Sequence, residues 1–215
     1  MLKAPILLSI SGIPEYWTMT ILVMAFILLV SFIVGRNLQV VPNGIQSFFE
    51  LVIVMTEYFL KEIIGEEGEV YLPLIASFAV FILFSNLLGS IPGFTSPTAT
   101  IDTTATLALI VFLLSHAVGI KKHGIRYIKK FLGPLIFIAP LMVIIEIMTA
   151  LSRPLSHALR LFANIFAEEF MVTVILFLLP WVIPVIIMYL QIFTDFMQAF
   201  VFYLLAIIYI AFTLE

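Results

Sequence analysis

Six polar residues recur through one apolar stretch of this chain: Glu146, Arg153, His157, Arg160, Asn164 and Glu168. At about 100° per helical residue, with Glu146 set to about 0°, Arg153 lies near −20°, His157 near +20°, Arg160 near −40°, Asn164 near 0° and Glu168 near +40°. One stripe about 80° wide thus holds all six, and at about 1.5 Å per residue it is about 33 Å long. That length is close to the thickness of a bilayer's hydrocarbon core. Glu169 falls off the stripe, near 140° on the same count. Further on, Gln191, Asp195 and Gln198 follow an i, i+4, i+7 spacing and share one helix face. Each ionisable side chain costs roughly 2.5–3.5 kcal/mol at a membrane centre, so such groups mark ion pathways by default. The chemistry open to this set is proton transfer among carboxyls and an imidazole beside fixed guanidinium charges.

The residues alone leave other readings open. Arg153 with Glu146, or Arg160 with Glu168, could simply neutralise each other in a structural network. His157 reads equally as a helix-packing histidine or a proton carrier. His116 and His123 fall near a basic loop and read as interfacial. Pro154 complicates the angular arithmetic, because proline can kink a helix and rotate its halves. Ser156 adjoins His157, but sequence neighbours on a helix do not face each other, so a serine nucleophile is poorly supported. No phosphate-binding glycine loop, H-E-x-x-H or G-x-S-x-G occurs. With no cysteine as well, no resident cofactor or metal is expected.

These residues need elements to position them, and the composition says which. Of 215 residues, 63% are hydrophobic and 11% charged, and the mean hydropathy is +1.24. Soluble domains run nearer half apolar and a quarter charged, so a polytopic membrane protein is expected. The net charge of −3 gives no sign of a nucleic-acid partner. Long unbroken apolar runs favour helices over the alternating strands of a barrel. The fold class expected is all-α, with about five transmembrane helices over 17–35, 71–89, 103–120, 134–169 and 172–213, in one membrane domain. The first run is too long for a signal peptide and has no cleavage site after it. No internal repeat is visible, which weakens an inverted-repeat transporter.

Between the first two spans, over about 43–64, Ile45, Phe48, Phe49, Val52, Met55, Phe59 and Ile63 recur at helical spacing. This reads as an amphipathic helix on the cytoplasmic surface, with a short re-entrant or core-packed helix as the alternative. The cluster Glu66-Glu67-Gly68-Glu69 reads as a solvated turn. Half of the ten Lys and Arg sit in one loop, as Lys121, Lys122, Arg126, Lys129 and Lys130. Positive loops face the cytoplasm. Arg36, two spans earlier, then lies on the same side, the N-terminus lies outside, and Glu215 lies inside.

The tract Ser152-Arg153-Pro154-Leu155-Ser156-His157-Ala158-Leu159-Arg160-Leu161-Phe162-Ala163-Asn164 strongly resembles the signature of subunit a of F-type rotary ATP synthases. That signature reads approximately S-[KR]-P-x-S-x-x-x-R-L-[FY]-[GA]-N. Gln198-Ala199-Phe200-Val201-Phe202 resembles the family's Q-A-[FY]-[IV]-F segment, and Asn86-Leu87-Leu88-Gly89-Ser90-Ile91-Pro92 resembles its N-L-x-G-x-[IL]-P loop. In order, the three matches span most of the chain beyond residue 70.

The resemblance implies a stationary subunit whose last two helices, long and tilted, wrap a rotating c-ring between two aqueous half-channels. Arg160 aligns with the essential arginine. A guanidinium stays protonated in a protein, so it favours an ionised ring carboxylate and blocks a direct leak. By position, Glu169 aligns with the acid of the outer half-channel, Asn164 and Gln198 with polar groups near the arginine, and Glu146 with an acid toward the cytoplasm. Ser156 aligns with a pathway-lining group. Position 191 is often His or Glu in the family, where it partners the residue aligned with Glu169; here it is Gln191. Position 168 is commonly small, and here it is Glu168. The missing ionisable function is expected at Glu168 or Asp195. The implied partners are c-ring proteolipids, peripheral-stalk b subunits, the rest of the synthase and membrane lipid. Phosphate chemistry then belongs to other subunits, and the compact length favours a bacterial inner membrane. An independent secondary transporter or ion channel is the alternative, and a structural scaffold with merely paired charges is a third reading.

Overall fold

The computed structural model describes residues 15–91, 94–124, 127, 139–178 and 183–214. Among these residues the chain is helical, with six α-helices and no strand: α1 Glu15–Arg36, α2 Gly44–Ile63, α3 Leu72–Gly89, α4 Ile101–His123, α5 Ala139–Leu178 and α6 Ile183–Leu214. All but α2 are long and apolar enough to cross a membrane. Arg126, Lys129 and Lys130 of the basic loop, Pro92, Pro180 and Glu215 lie outside the described residues, as does the start of the fourth expected span.

Local sequence explains several helix ends. Pro73 stands in the first turn of α3, where its missing N–H is not needed. α4 ends in Lys121, Lys122 and His123, cations that suit the negative end of a helix dipole. Gly124 follows with φ +56° and donates its N–H to the Ile120 carbonyl at 2.8 Å; glycine reaches such angles without steric cost. Pro154 sits inside α5, which runs on through it as one 40-residue helix.

The core lies where α3 and α4 meet α5 and α6. Ile75 and Ile82 of α3, Val111 of α4, Leu161 and Ile165 of α5, and Phe202, Ile207 and Ile210 of α6 are fully buried there. α1 packs on α3 and on the short 3-10 turn Pro97–Ala99, with Phe26 edge-on to Phe84 at 5.6 Å. Its Leu28, Leu29 and Phe32 stay exposed.

α2 does more than rest on a surface. Thr56 and Leu60 are fully buried, and Phe59 meets Phe200 and Tyr203 of α6 at 5.7 and 6.2 Å between centroids. Its other side, with Leu51, Val54 and Tyr58, is exposed. The acidic turn after α2 is a 3-10 segment, Glu66–Tyr71, and two of its acids are paired. Lys61 bridges Glu57 at 2.6 Å and Glu69 at 2.9 Å, and Lys122 bridges Glu67 at 2.8 Å. Lys122 holds the Glu67 carboxyl below its ordinary value, chiefly by hydrogen bonding. These pairs are exposed and add little stability, but they fix the ends of α2 and α4 on one side. His123 Nε2 lies 3.3 Å from the Leu214 carbonyl, so the end of α6 is on that side too.

Candidate functional site

α5 is a beam with two faces. Ala158, Leu161, Ile165 and His157 are buried, whereas Ser156, Arg160, Ala163, Asn164 and Ala167 are exposed. The polar stripe therefore straddles the edge of the α5–α6 contact. His157 packs against Phe202 at 3.9 Å and Tyr209 at 5.6 Å between centroids, and neither ring nitrogen has a partner among the described residues. Asn164 Nδ2 donates to Gln198 Oε1 at 2.9 Å and ties α5 to α6 one turn from Arg160. Neither ion pair considered from the sequence forms: among the described residues no salt bridge joins Arg160 to Glu168 or Arg153 to Glu146. Arg153 instead lies over the Phe212 ring at 5.6 Å, a cation–π contact.

On one side of Arg160 is a cluster of carboxyls. Glu169, off the stripe, turns toward the end of α3, where its Oε1 accepts the Ser96 N–H at 2.6 Å. The Ser96 loop is held by its own buried network. Ser96 Oγ donates to the Ser85 carbonyl at 2.8 Å and lies 2.6 Å from Thr98 Oγ1, which donates to Asn86 Oδ1 at 2.6 Å. Gly89 permits this approach: a Cβ there would stand 2.7 Å from Ser96 Cβ and 2.9 Å from Glu169 Oε1. Asp195 is fully buried, and its Oδ2 accepts from Ser90 Oγ at 2.7 Å. Asp195 is close enough to interact electrostatically with both Glu168 and Glu169. Gln191, one turn away on α6, is buried with its Nε2 unbonded among the described residues.

On the other side is a cavity of ≈ 250 Å³ between α4, α5 and α6. Glu146, Arg153, His116, Ser115, Tyr127 and Tyr209 are among its lining. Tyr209 also touches His157, so the cavity's wall reaches the turn below Arg160. Along α5, Glu169 lies nine residues and about 13.5 Å to one side of Arg160, and Arg153 seven residues and about 10.5 Å to the other. Two polar places thus flank Arg160 along α5, the carboxyl cluster on one side and the Glu146–Arg153 cavity on the other.

The structure unites Glu168, Glu169, Asp195 and Gln191 at one end and joins Asn164 to Gln198 in the middle. It sets Glu146 apart, in the cavity. Ser90 and Ser96 were not singled out from the sequence as site residues, because their partners are 105 and 73 residues away. The only signal was that Ser90 falls within the matched Asn86–Pro92 loop.

The chain is similar to known proteins over most of its length. The family model described as ATP synthase A chain matches residues 17–211. A Geobacter sulfurreducens protein named ATP synthase subunit a is 49% identical over 196 residues, covering 91% of this chain and 86% of that protein. A Trichlorobacter lovleyi protein of the same name is 46% identical over 207 residues, 96% of this chain and 88% of its own length. One from Syntrophobacter fumaroxidans is 47% identical over 199 residues, 92% of this chain and 83% of its own length.

Proposed function

Because the chain belongs to the ATP synthase A chain family, we propose a route by which its two polar clusters and Arg160 move protons. The protein is an integral membrane protein and serves as the stationary, proton-translocating subunit of an F-type ATP synthase. In our reading the exposed face of α5 around Arg160 lies against a ring of proteolipid c subunits. The cluster of Glu168, Glu169, Asp195, Gln191, Ser90 and Ser96 is the outer half-channel. The cavity of Glu146 and Arg153 opens the cytoplasmic one, with Ser156 and His157 along its inner end. Asn164 and Gln198 flank the passing ring carboxylate. The exposed sides of α1 and α2 take lipid and the b subunits of the peripheral stalk. The membrane is a bacterial plasma membrane, and the Lys122 end of α4 faces the cytoplasm, which leaves the N-terminus outside.

One observation carries this reading. Arg160 is a guanidinium in the middle of an apolar helix, exposed at its surface, and no ion pair joins it to a carboxylate among the described residues. A lone cation in lipid is costly and calls for a counter-charge from outside the chain. A ring carboxylate supplies it. The cation favours the ionised form as each ring site arrives, and it cannot relay a proton between the two clusters. A potential of about 100 mV gives about 2.3 kcal/mol per charge crossing, which becomes directed rotation when the proton must travel by the ring.

The native chain contains no cysteine, so the contact is open to cross-linking. Single cysteines at Ala163 or Ala167 should form disulfides with a cysteine beside the ring carboxylate, while one at Leu28 on α1 should not. Cross-linking at Leu28 with none at Ala163 or Ala167 would refute this placement of the ring.

A further inference from the structure

Asp195 stands out among the acids of the described residues. It is fully buried, yet no cation pairs with it among the described residues. Its Oδ2 is held by the Ser90 hydroxyl, while Oδ1 has no partner among those residues. The charged groups that interact with it are Glu168 and Glu169 of α5. The residue that caps α3 is Ser90, and α6 itself contributes the neutral Gln191 and Gln198. A structural tie to Ser90 needs only an acceptor, which an asparagine would provide without a charge. A carboxyl without a counter-cation is the costliest choice for that task in lipid. Its use is intelligible if the group must gain and lose a proton.

We propose that Asp195, oriented by Ser90, is the proton-accepting carboxyl of the outer half-channel on α6, in place of the untitratable Gln191 one turn away. The proposal rests on the reading of the chain as a proton-translocating subunit and goes beyond it by naming the group. A hydrated proton from the outer side adds to Oδ1 of the ionised Asp195 and leaves a water molecule behind. The neutral carboxyl then passes that proton inward to a water molecule, which becomes a hydrated proton on the Arg160 side, and is ionised again. The Ser90 hydroxyl keeps Oδ2 fixed throughout, so the exchange needs no movement of either helix. Asp195 is three residues, about 4.5 Å along α6, from Gln198. Gln198 in turn is bonded to Asn164 beside Arg160. The position is therefore one step outward from the ring contact.

The test uses the assembled membrane sector, with its ring, in vesicles driven by a potassium diffusion potential. Proton uptake is followed with a pH dye. Asp195→Asn keeps the size and the acceptor for Ser90 but removes the proton site. Passive conduction should fall about 100-fold, the scale for losing a positioned acid–base group. Adding Gln191→Glu to Asp195→Asn should restore most of it, which a merely structural role of Asp195 would not allow. Parental conduction in an assembled Asp195→Asn sector would overturn the proposal. So would a loss that Gln191→Glu does not rescue. Arg160→Ala, measured in parallel for coupled pumping, separates the two levels. If it abolishes pumping while Asp195→Asn conducts normally, only the role of Asp195 falls. If pumping survives Arg160→Ala, the underlying reading falls with it.

Discussion

Arg160 is demanding because its role excludes its nearest chemical substitute. A lysine carries the same charge, but it is a point charge that can surrender its proton when desolvated, whereas guanidinium cannot. Arg160→Lys should therefore lower ATP-driven pumping by at least about tenfold, or about 1.4 kcal/mol, with the complex still assembled, as read by dye quenching in vesicles. The Asn164–Gln198 bond is a smaller matter. Interhelical side-chain bonds in membranes average about 0.6 kcal/mol, and a double-mutant cycle with Asn164→Leu and Gln198→Leu should return a coupling near that size in thermal melts. Arg160 and its neighbours were legible because charge in an apolar run needs no tertiary knowledge to be noticed. Ser90 and Ser96 were not. A serine in a polar loop is unremarkable until the fold brings it to Asp195 or Glu169.

Individual elements set how closely these groups meet. The turn after α3 presses against Glu169 only because residue 89 has no side chain. A Cβ there would sit 2.7 Å from Ser96 Cβ and 2.9 Å from Glu169 Oε1. Gly89→Ala should push the loop off Glu169 and lower passive proton conduction, while cross-linking from Ala163 to the ring persists. α2 invites a separate test. Leu60 is fully buried within the contact of α2 with its neighbours, so Leu60→Ala should destabilise by about 2–5 kcal/mol, the usual range for such a truncation, as a lowered melting temperature in detergent. The sequence period located α2, but an apolar stripe at helical spacing is the same whether it faces lipid or protein. That is why the surface reading understated its packing on α3 and α6. Pro154 posed the reverse difficulty. It threatened the phase of the polar stripe, yet α5 continues through it as one helix.

At the scale of the whole molecule, the design is asymmetry. α3, α4 and α6 pack an apolar core, while α5 is buried along one face only and turns Arg160 outward. The all-helical class and the five apolar helices were readable from hydropathy because lipid forces each span to satisfy its own backbone. The division of the polar stripe was not readable. Helical angles set Glu169 off the stripe, but they could not tell that it would meet Ser96, or that Glu146 would go to a cavity with His116 and Tyr127. Those outcomes depend on which neighbours α5 meets. The central claim is that Arg160 forces protons to travel by the ring. Its most direct test is proton flux in vesicles bearing the assembled complex with Arg160→Ala, driven first by ATP hydrolysis and then by an imposed potential. The account predicts that ATP-driven pumping is lost although the complex is intact, and that the imposed potential no longer drives ATP synthesis. Normal coupled flux in both directions would contradict it and return Arg160 to the status of a structural charge.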